Sequence, residues 1–149
     1  MTESWLRRFT ALTLLAACGC SSLDNCPDEQ PRRTIANEPG MTDVDELYYE
    51  SAPDSGPLAP YTPRSELVFE HGLGVKPLLY KAYLSFTKEG TNEQDDGSIT
   101  EIAGNQGTYQ CVDHKVIVLK NDTCERSFFV KVVAMGRSPT DDGEDHCGE

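Results

Sequence analysis

No apolar run in this 149-residue chain is long enough to form a permanent membrane span. The run at residues 9–17 covers about 14 Å as a helix at ~1.5 Å per residue, whereas the hydrocarbon core of a bilayer is about 30 Å thick. The sequence also lacks a sustained helical period of apolar residues. Any folded core is therefore predicted to be built from strands.

Basic residues are scarce in this chain. It has 13 Lys and Arg against 25 Asp and Glu, which gives a net charge of −12. A surface this acidic repels phosphate backbones and anionic lipid head groups, so we predict no nucleic-acid partner and no electrostatic docking to membranes. Cationic partners and divalent ions are compatible with it.

Short catalytic and metal-binding signatures are missing too. The chain has no Gly-x-Ser-x-Gly, no His-Glu-x-x-His, no phosphate-binding loop and no Cys-x-x-Cys. The candidate bases are His71, His114 and His146. Asp113 precedes His114, but neighbours in a strand point to opposite faces, so these two side chains are not expected to act together. We predict a non-enzyme with no catalytic residues, no cofactor and no metal site.

Two acidic segments are candidate calcium sites, and we interpret both as solvated. The first follows the start of an EF-hand loop through Asn92, Gln94, Asp96 and Gly97. Ala103 stands where that loop needs a bidentate glutamate, so its strongest ligand is missing. The second lies in the tail and consists of Asp141, Asp142, Glu144 and Asp145.

The N-terminus has the order of a secretory signal. Arg7 and Arg8 precede the apolar run, which ends in Leu15-Ala16-Ala17-Cys18. This ending resembles the lipobox of bacterial lipoproteins. The resemblance implies cleavage before Cys18, a diacylglyceryl thioether on its sulfur and acylation of the new amine, while Gly19 implies the outer membrane. Cleavage leaves 132 residues with a net charge of about −13. The alternative is an ordinary cleaved signal peptide.

Six cysteines in an exported chain predict disulfides. If Cys18 carries lipid, five cysteines remain, and we expect Cys20 to be the one without a disulfide partner. We favour pairing Cys111 with Cys124 and Cys26 with Cys147, although four cysteines allow three connectivities.

Residues 18–65 are predicted to form a lipid anchor and an extended stalk. Seven of the nine prolines fall between positions 27 and 63, and each removes a donor and fixes φ. Only residues 44–50 carry enough apolar and aromatic side chains to pair as an edge strand or to lie against the domain. The alternative is a disordered tether throughout the segment.

Residues 66–136 are predicted to fold as a small antiparallel β-sandwich, followed by an acidic tail at 137–149. Residues 67–69 and 78–86 are expected strands, joined through His71-Gly72-Leu73-Gly74. Residues 108–120 and 127–135 are expected to pair across a turn at 121–124. The strand at 127–135 is apolar on both faces, so it is either central in the sandwich or covered by an identical subunit.

The His71–Gly74 connection, Pro77, the alternating strand and the final Phe-Val-Lys-Val run resemble β-sandwich modules of phage tail fibres and H-type lectins. The resemblance covers about half the chain and implies a sandwich that binds a protein or a carbohydrate. We therefore expect a lipid-anchored envelope protein, on the periplasmic face or the cell surface, that presents a binding module. The alternative is a homo-oligomeric structural subunit of the envelope with no ligand.

Overall fold

The computed structural model describes residues 26–53, 56–90, 99–124 and 126–137. Within these ranges the chain forms ten β-strands and a short 3-10 turn at Gly104–Gln106, with no α-helix. The strands make two sheets that pack together, which confirms the predicted all-β sandwich. In chain order the strands are β1 (Arg33–Ile35), β2 (Thr42–Asp43), β3 (Tyr48–Glu50), β4 (Ala59–Tyr61), β5 (Glu66–Glu70), β6 (Leu79–Ser85), β7 (Thr100–Glu101), β8 (Thr108–Val112), β9 (Val116–Lys120) and β10 (Phe128–Met135).

The smaller sheet has the strand order β1-β5-β9-β8. Strands β5 and β9 are antiparallel and in full register, with Glu66 opposite Lys120 at one end and Glu70 opposite Val116 at the other. Strand β1 pairs parallel to β5. Alternate residues of β5 and β9 therefore face the other sheet.

The larger sheet is built around β10, as expected for the central strand of a sandwich. Strand β6 pairs along one side of β10, from Phe129 opposite Ser85 to Met135 opposite Leu79. The other side of β10 is shared by β3 and β4, and the short strands β2 and β7 complete the sheet.

The core lies between the two sheets and follows the period of two along the strands. Its buried members are Tyr49, Tyr61, Leu67, Phe69, Leu73, Ala82, Leu84, Ile117, Leu119, Phe128, Val130, Val132 and Ala134. The alternation predicted for residues 78–86 holds for Ala82 and Leu84, which are buried. It fails for Phe86, which is 68% exposed because β6 ends one residue earlier.

The prediction of an extended stalk is wrong for the described residues of 18–65. Strands β1 to β4 come from this segment, and its Tyr49 and Tyr61 are fully buried in the core. Proline does not prevent this, since Pro60 lies in a strand of only three residues at the edge of β10. The expectation of a strand within 44–50 is confirmed by β3.

The predicted pairing of 108–120 with 127–135 is also wrong. Residues 108–120 form two strands, β8 and β9, that pair with each other. Strand β10 belongs to the opposite sheet, so residues 121–124 begin a crossing from one sheet to the other. The apolar pattern predicted the strands correctly but carries no information about which sheet each one joins.

The favoured disulfide pairing is wrong as well. Cys26 is bonded to Cys124, which excludes both Cys111–Cys124 and Cys26–Cys147. Cys111 is disulfide-bonded too, while Cys147 lies outside the described residues. The Cys26–Cys124 bond is possible because β1 runs beside β5 and brings the segment before it to the end of β9.

Candidate binding cleft

A cleft of about 490 Å³ opens at the end of the sandwich where β5 ends and β9 begins. We call this the cleft end, and the opposite end, near Cys26 and Cys124, the disulfide end. A volume of this size is within the range of small-ligand sites, about 300–1,000 Å³. The cleft is lined by Asn37, Glu70, Gly72, Gly74, His114, Lys115 and Val116.

His71 holds the walls of the cleft in place. Its side chain is fully buried, and its ring lies edge-on to Tyr49 with the ring centroids 6.1 Å apart. The N–H of Leu73 donates to Nδ1 at 3.2 Å, so Nδ1 carries no proton and Nε2 donates to the carbonyl of Asp113 at 3.0 Å. The imidazole thereby links the connection after β5 to the turn between β8 and β9.

The backbone of residue 71 adds two further ties. Its N–H donates to the carbonyl of Lys115 at 3.1 Å, and its carbonyl accepts from Oγ1 of Thr42 at 2.6 Å. Burial lowers the pKa of His71, although the carbonyl and charge of Asp113 oppose that shift. The ring is therefore neutral at pH 7 and acts as a structural crosslink.

Asp113 shapes the turn that forms the second wall. Its Oδ1 accepts from the N–H groups of Lys115 at 2.7 Å and Val116 at 2.8 Å. This is the side-chain-to-backbone bonding that favours aspartate in turns. Asp113 and His114 thus lie in a turn between strands rather than within a strand as predicted. His114 lines the cleft, whereas the buried His71 holds its walls together.

Asn37 and Gly72 form the third side of the cleft. The side-chain amide of Asn37 contacts Oγ1 of Thr42 at 2.9 Å, with Nδ2 over Gly72. A Cβ added to Gly72 would lie 2.2 Å from that Nδ2. Gly72 and Gly74 both have positive φ, 63° and 70°, as their predicted turn requires.

Glu70 provides an uncompensated negative charge at the cleft. It is exposed and forms no ion pair with any residue in the described ranges. Glu66, four residues earlier on the same face of β5, forms an ion pair with Arg32. The two glutamates therefore differ in their partners rather than in their strand or direction.

The outward side of the larger sheet is a second surface with mixed chemistry. Its half-buried apolar and aromatic residues lie beside Leu79 and Met135, which are 49% and 45% exposed. Lys131 is paired with Glu50, and Lys81 with Glu101 at 2.8 Å, so the charges of this face cancel locally. We call this the outer face; its half-buried members are Tyr48, Tyr83, Phe129 and Val133.

Several predicted sites fall outside the described residues and stay predictions. These are Cys18 and the rest of the lipobox, Cys20, Cys147, His146, the loop residues Asn92, Gln94, Asp96 and Gly97, and the acidic cluster at 141–145. Ala103 is described and lies at the start of the 3-10 turn. Within the described ranges no three His, Cys, Asp or Glu residues gather as a metal site would require. No helix of that part is long and apolar enough to cross a membrane.

Comparisons of the chain with protein families, curated proteins and solved structures find no significant match. An assignment of function therefore depends on the geometry of the cleft and on the predicted anchor.

Sequence reasoning missed most of the cleft. It identified the turn at 71–74 and singled out His114, but Asn37 fell in the predicted stalk. Nothing in the sequence distinguished Glu70 from Glu66 as a candidate binding residue. The two differ because Glu66 forms an ion pair with Arg32, and that contact is visible only in the structure. The Asp113-His114 pair, followed by Lys115, was the available signal for a turn at this position.

Proposed function

We propose that this chain is a lipid-anchored protein of the bacterial outer membrane whose β-sandwich is a binding module. The observation that carries the binding role is the cleft. Its walls are fixed by His71, and it presents the Glu70 carboxylate and the Asn37 amide to an incoming ligand. A protein or carbohydrate ligand with a cationic group suits this charge and the net charge of −12.

The position of the Cys26–Cys124 bond supports this proposal. A lipid on Cys18 would be joined to the sandwich through Cys26, and eight residues of extended chain reach about 29 Å at most. The disulfide end would then face the bilayer. The cleft lies at the other end of β5 and β9, so it would point away from the membrane, toward a ligand.

The anchor is tested by fractionating cells that express the full chain or a single variant. Cys18→Ser should release the protein into the soluble fraction, because two or more acyl chains are what hold such a protein nearly permanently. Cys20→Ser is the matched control and should stay in the membrane. The reverse result would show that the lipobox was assigned to the wrong cysteine.

The orientation is tested by fluorescence quenching with a lipid-borne quencher. One fluorophore is placed at Arg126, near the disulfide end, and another at Lys76, in the connection that forms the cleft; both positions are exposed. The label at position 126 should be quenched more strongly. Equal quenching, or stronger quenching at position 76, contradicts the proposed presentation of the cleft.

The outer face favours a second candidate, a structural subunit that assembles with its own copies. The strand at 127–135 is apolar on both faces, and its outward residues Phe129, Val133 and Met135 lie on this face. The two Lys–Glu pairs leave the face locally neutral, so it carries little charge repulsion of its own against an identical face. Light scattering on the Cys18→Ser protein separates the candidates. A monomer whose β10 amides are protected from hydrogen exchange contradicts the structural role.

A further inference from the structure

We propose that Cys111 is bonded to Cys147, and that this second disulfide fastens the acidic tail, residues 138–149, over the outward side of the smaller sheet beside the cleft. The disulfide is not part of the proposed binding function, although the lipid assigned there to Cys18 helps to identify the partner. Two observations carry it: the bonded state of Cys111, and the burial of two valines on the outward side of that sheet.

The partner of Cys111 must be one of three cysteines. Cys111 is disulfide-bonded, and Cys26 and Cys124 are bonded to each other. Of the six cysteines this leaves Cys18, Cys20 and Cys147. A thioether on Cys18 would remove that sulfur from disulfide chemistry. Formation of the bond takes two protons and two electrons from two thiols, and a disulfide-carrying oxidant outside the cytoplasm accepts them.

The last described residues lie at the cleft end of the sandwich. Strand β10 ends at Met135, and a Cβ added to the next residue, Gly136, would lie 2.7 Å from Cγ2 of Val75. Val75 belongs to the connection that leaves β5 at the cleft end. Ten residues separate position 137 from Cys147, and they span about 33 Å when extended. The tail is therefore long enough to pass around the cleft end to the outward side of the smaller sheet.

Cys111 lies near the cleft end as well. It is the last but one residue of β8, and the turn that follows β8 lines the cleft. Cys20 lies six residues before Cys26, which is fixed at the opposite end of the sandwich. A bond from Cys20 would also bring the acylated Cys18, two residues away, to the strand beside the cleft. Cys147 satisfies the bond and leaves the lipid at the disulfide end.

Two valines on the outward side of the smaller sheet are buried. Val68 and Val118 lie opposite each other on β5 and β9, and they are 9% and 1% exposed. Their neighbours along the strands face the core instead; these are Leu67, Phe69, Ile117 and Leu119. Cys111 pairs with Val118, so its side chain is on the outward side too. No further strand within the described ranges covers this side, since all of them belong to the two sheets. A segment tied to Cys111 is placed to cover both valines.

Peptide mapping of the full wild-type chain tests the bond. After alkylation without reductant, trypsin places the cysteines on four peptides: Cys111 on 89–115, Cys124 on 121–126, Cys147 on 138–149, and the other three on the N-terminal peptide that ends at position 32. The expected result is a crosslinked mass that joins 89–115 to 138–149 and separates on reduction.

Two results of the mapping would overturn the inference. The first is a free thiol at Cys111 or Cys147. The second is a link between 89–115 and the N-terminal peptide, in which fragmentation by mass spectrometry identifies the bonded cysteine. A link to Cys20 leaves the lipid anchor standing, whereas a link to Cys18 contradicts the anchor as well.

The covering of the sheet is tested by methyl NMR of the full chain in detergent with a soluble nitroxide. Cys111→Ala with Cys147→Ala frees the tail, so relaxation of the Val68 and Val118 methyls by the nitroxide should rise several-fold. The core methyls of Val132 should not respond. Val68 is the sharper probe, because β9 separates its strand from β8 and the lost sulfur alone does not expose it.

Cys20→Ser is the matched control and should leave these relaxation rates unchanged. A rise in Cys20→Ser but not in the double variant would assign the bond to Cys20. An unchanged rate at Val68 in the double variant would show that the tail does not cover this side.

Discussion

The two ends of the sandwich are each organised around one fully buried polar side chain, His71 at the cleft end and Asn121 at the disulfide end. Nδ2 of Asn121 donates to the carbonyl of Tyr61 at 3.0 Å, and its Oδ1 accepts from the N–H and the hydroxyl of Thr123. His71 bonds Leu73 and Asp113 in the same manner. In both cases a loop is fixed because a buried polar group must find its partners.

The two ends differ in which change in conditions would break the contacts that hold their loops. An amide does not titrate, and the disulfide end is further closed by the bond between Cys26 and Cys124. An imidazole gains a proton in mildly acidic solution. The loops of the cleft end therefore depend on the protonation of one ring, whereas Asn121 holds the loops of the disulfide end at any pH.

Removing the Cys26–Cys124 bond should have the largest effect. Cys26→Ala with Cys124→Ala opens a crosslink between residues 98 apart in sequence, which is expected to cost about 4–5 kcal/mol in the loop-entropy model. The free energy of unfolding in urea measures this loss against that of the wild-type protein. Peptide mapping without reductant should find the Cys26–Cys124 crosslink, and a loss below about 1 kcal/mol would show that noncovalent contacts alone fix this end.

Truncating the two buried polar side chains should have the next largest effect. Asn121→Ala leaves the Tyr61 carbonyl and the Thr123 N–H without partners, which should cost about 2–3 kcal/mol. His71→Ala should cost a similar amount for the same reason. Urea unfolding at pH 7.5 tests both, and a loss confined to one variant would show that the two ends are not built alike.

Side chains added to the two cleft glycines should have smaller and unequal effects. Gly74→Ala should cost about 1 kcal/mol, because its φ of 70° is unfavourable for a residue with a Cβ. Gly72→Ala carries the same cost and must also push Asn37 off its bond to Thr42. Only Gly72→Ala should therefore move the side-chain amide resonance of Asn37, and equal shifts in both variants would contradict the described contact.

Acid should produce the smallest effect, since a single group is responsible for it. Burial lowers the pKa of His71 below its unfolded value of 6.5, so the unfolded chain binds the proton more readily than the folded one. Stability is therefore complete above pH 6.5 and falls as the pH drops from 6.5 toward the folded pKa. A proton on Nδ1 would face the N–H of Leu73 and break the bond between them.

The measurement is the urea midpoint between pH 7.5 and 5.5, a window above the titration of ordinary carboxylates. His71→Ala should flatten the dependence, whereas Asn121→Ala should keep it. A flat profile in the wild-type protein would show that the cleft end is as insensitive to acid as the disulfide end.

The local pattern predicted much of the fold. The apolar alternation indicated β5, β6 and β10, and the two glycines after His71 indicated a turn with positive φ. The pattern could not show that residues 108–120 fold back as a hairpin, because the turn there depends on Asp113 bonding the backbone of Lys115 and Val116. Of the cleft it suggested only His71-Gly72-Leu73-Gly74 and His114.

By itself the sequence determined most of the strand-forming segments after residue 65 and the acidic composition, because these depend on neighbouring residues or on residue counts. The lipid anchor stays a prediction. Only the tertiary structure decided that the proline-rich segment supplies four strands, that Cys26 pairs with Cys124, and that Asn37 meets Glu70 at one cleft. These contacts join residues far apart in the chain. They depend on which sheet each strand joins, and this is decided by how the apolar faces of all the strands pack together in one core.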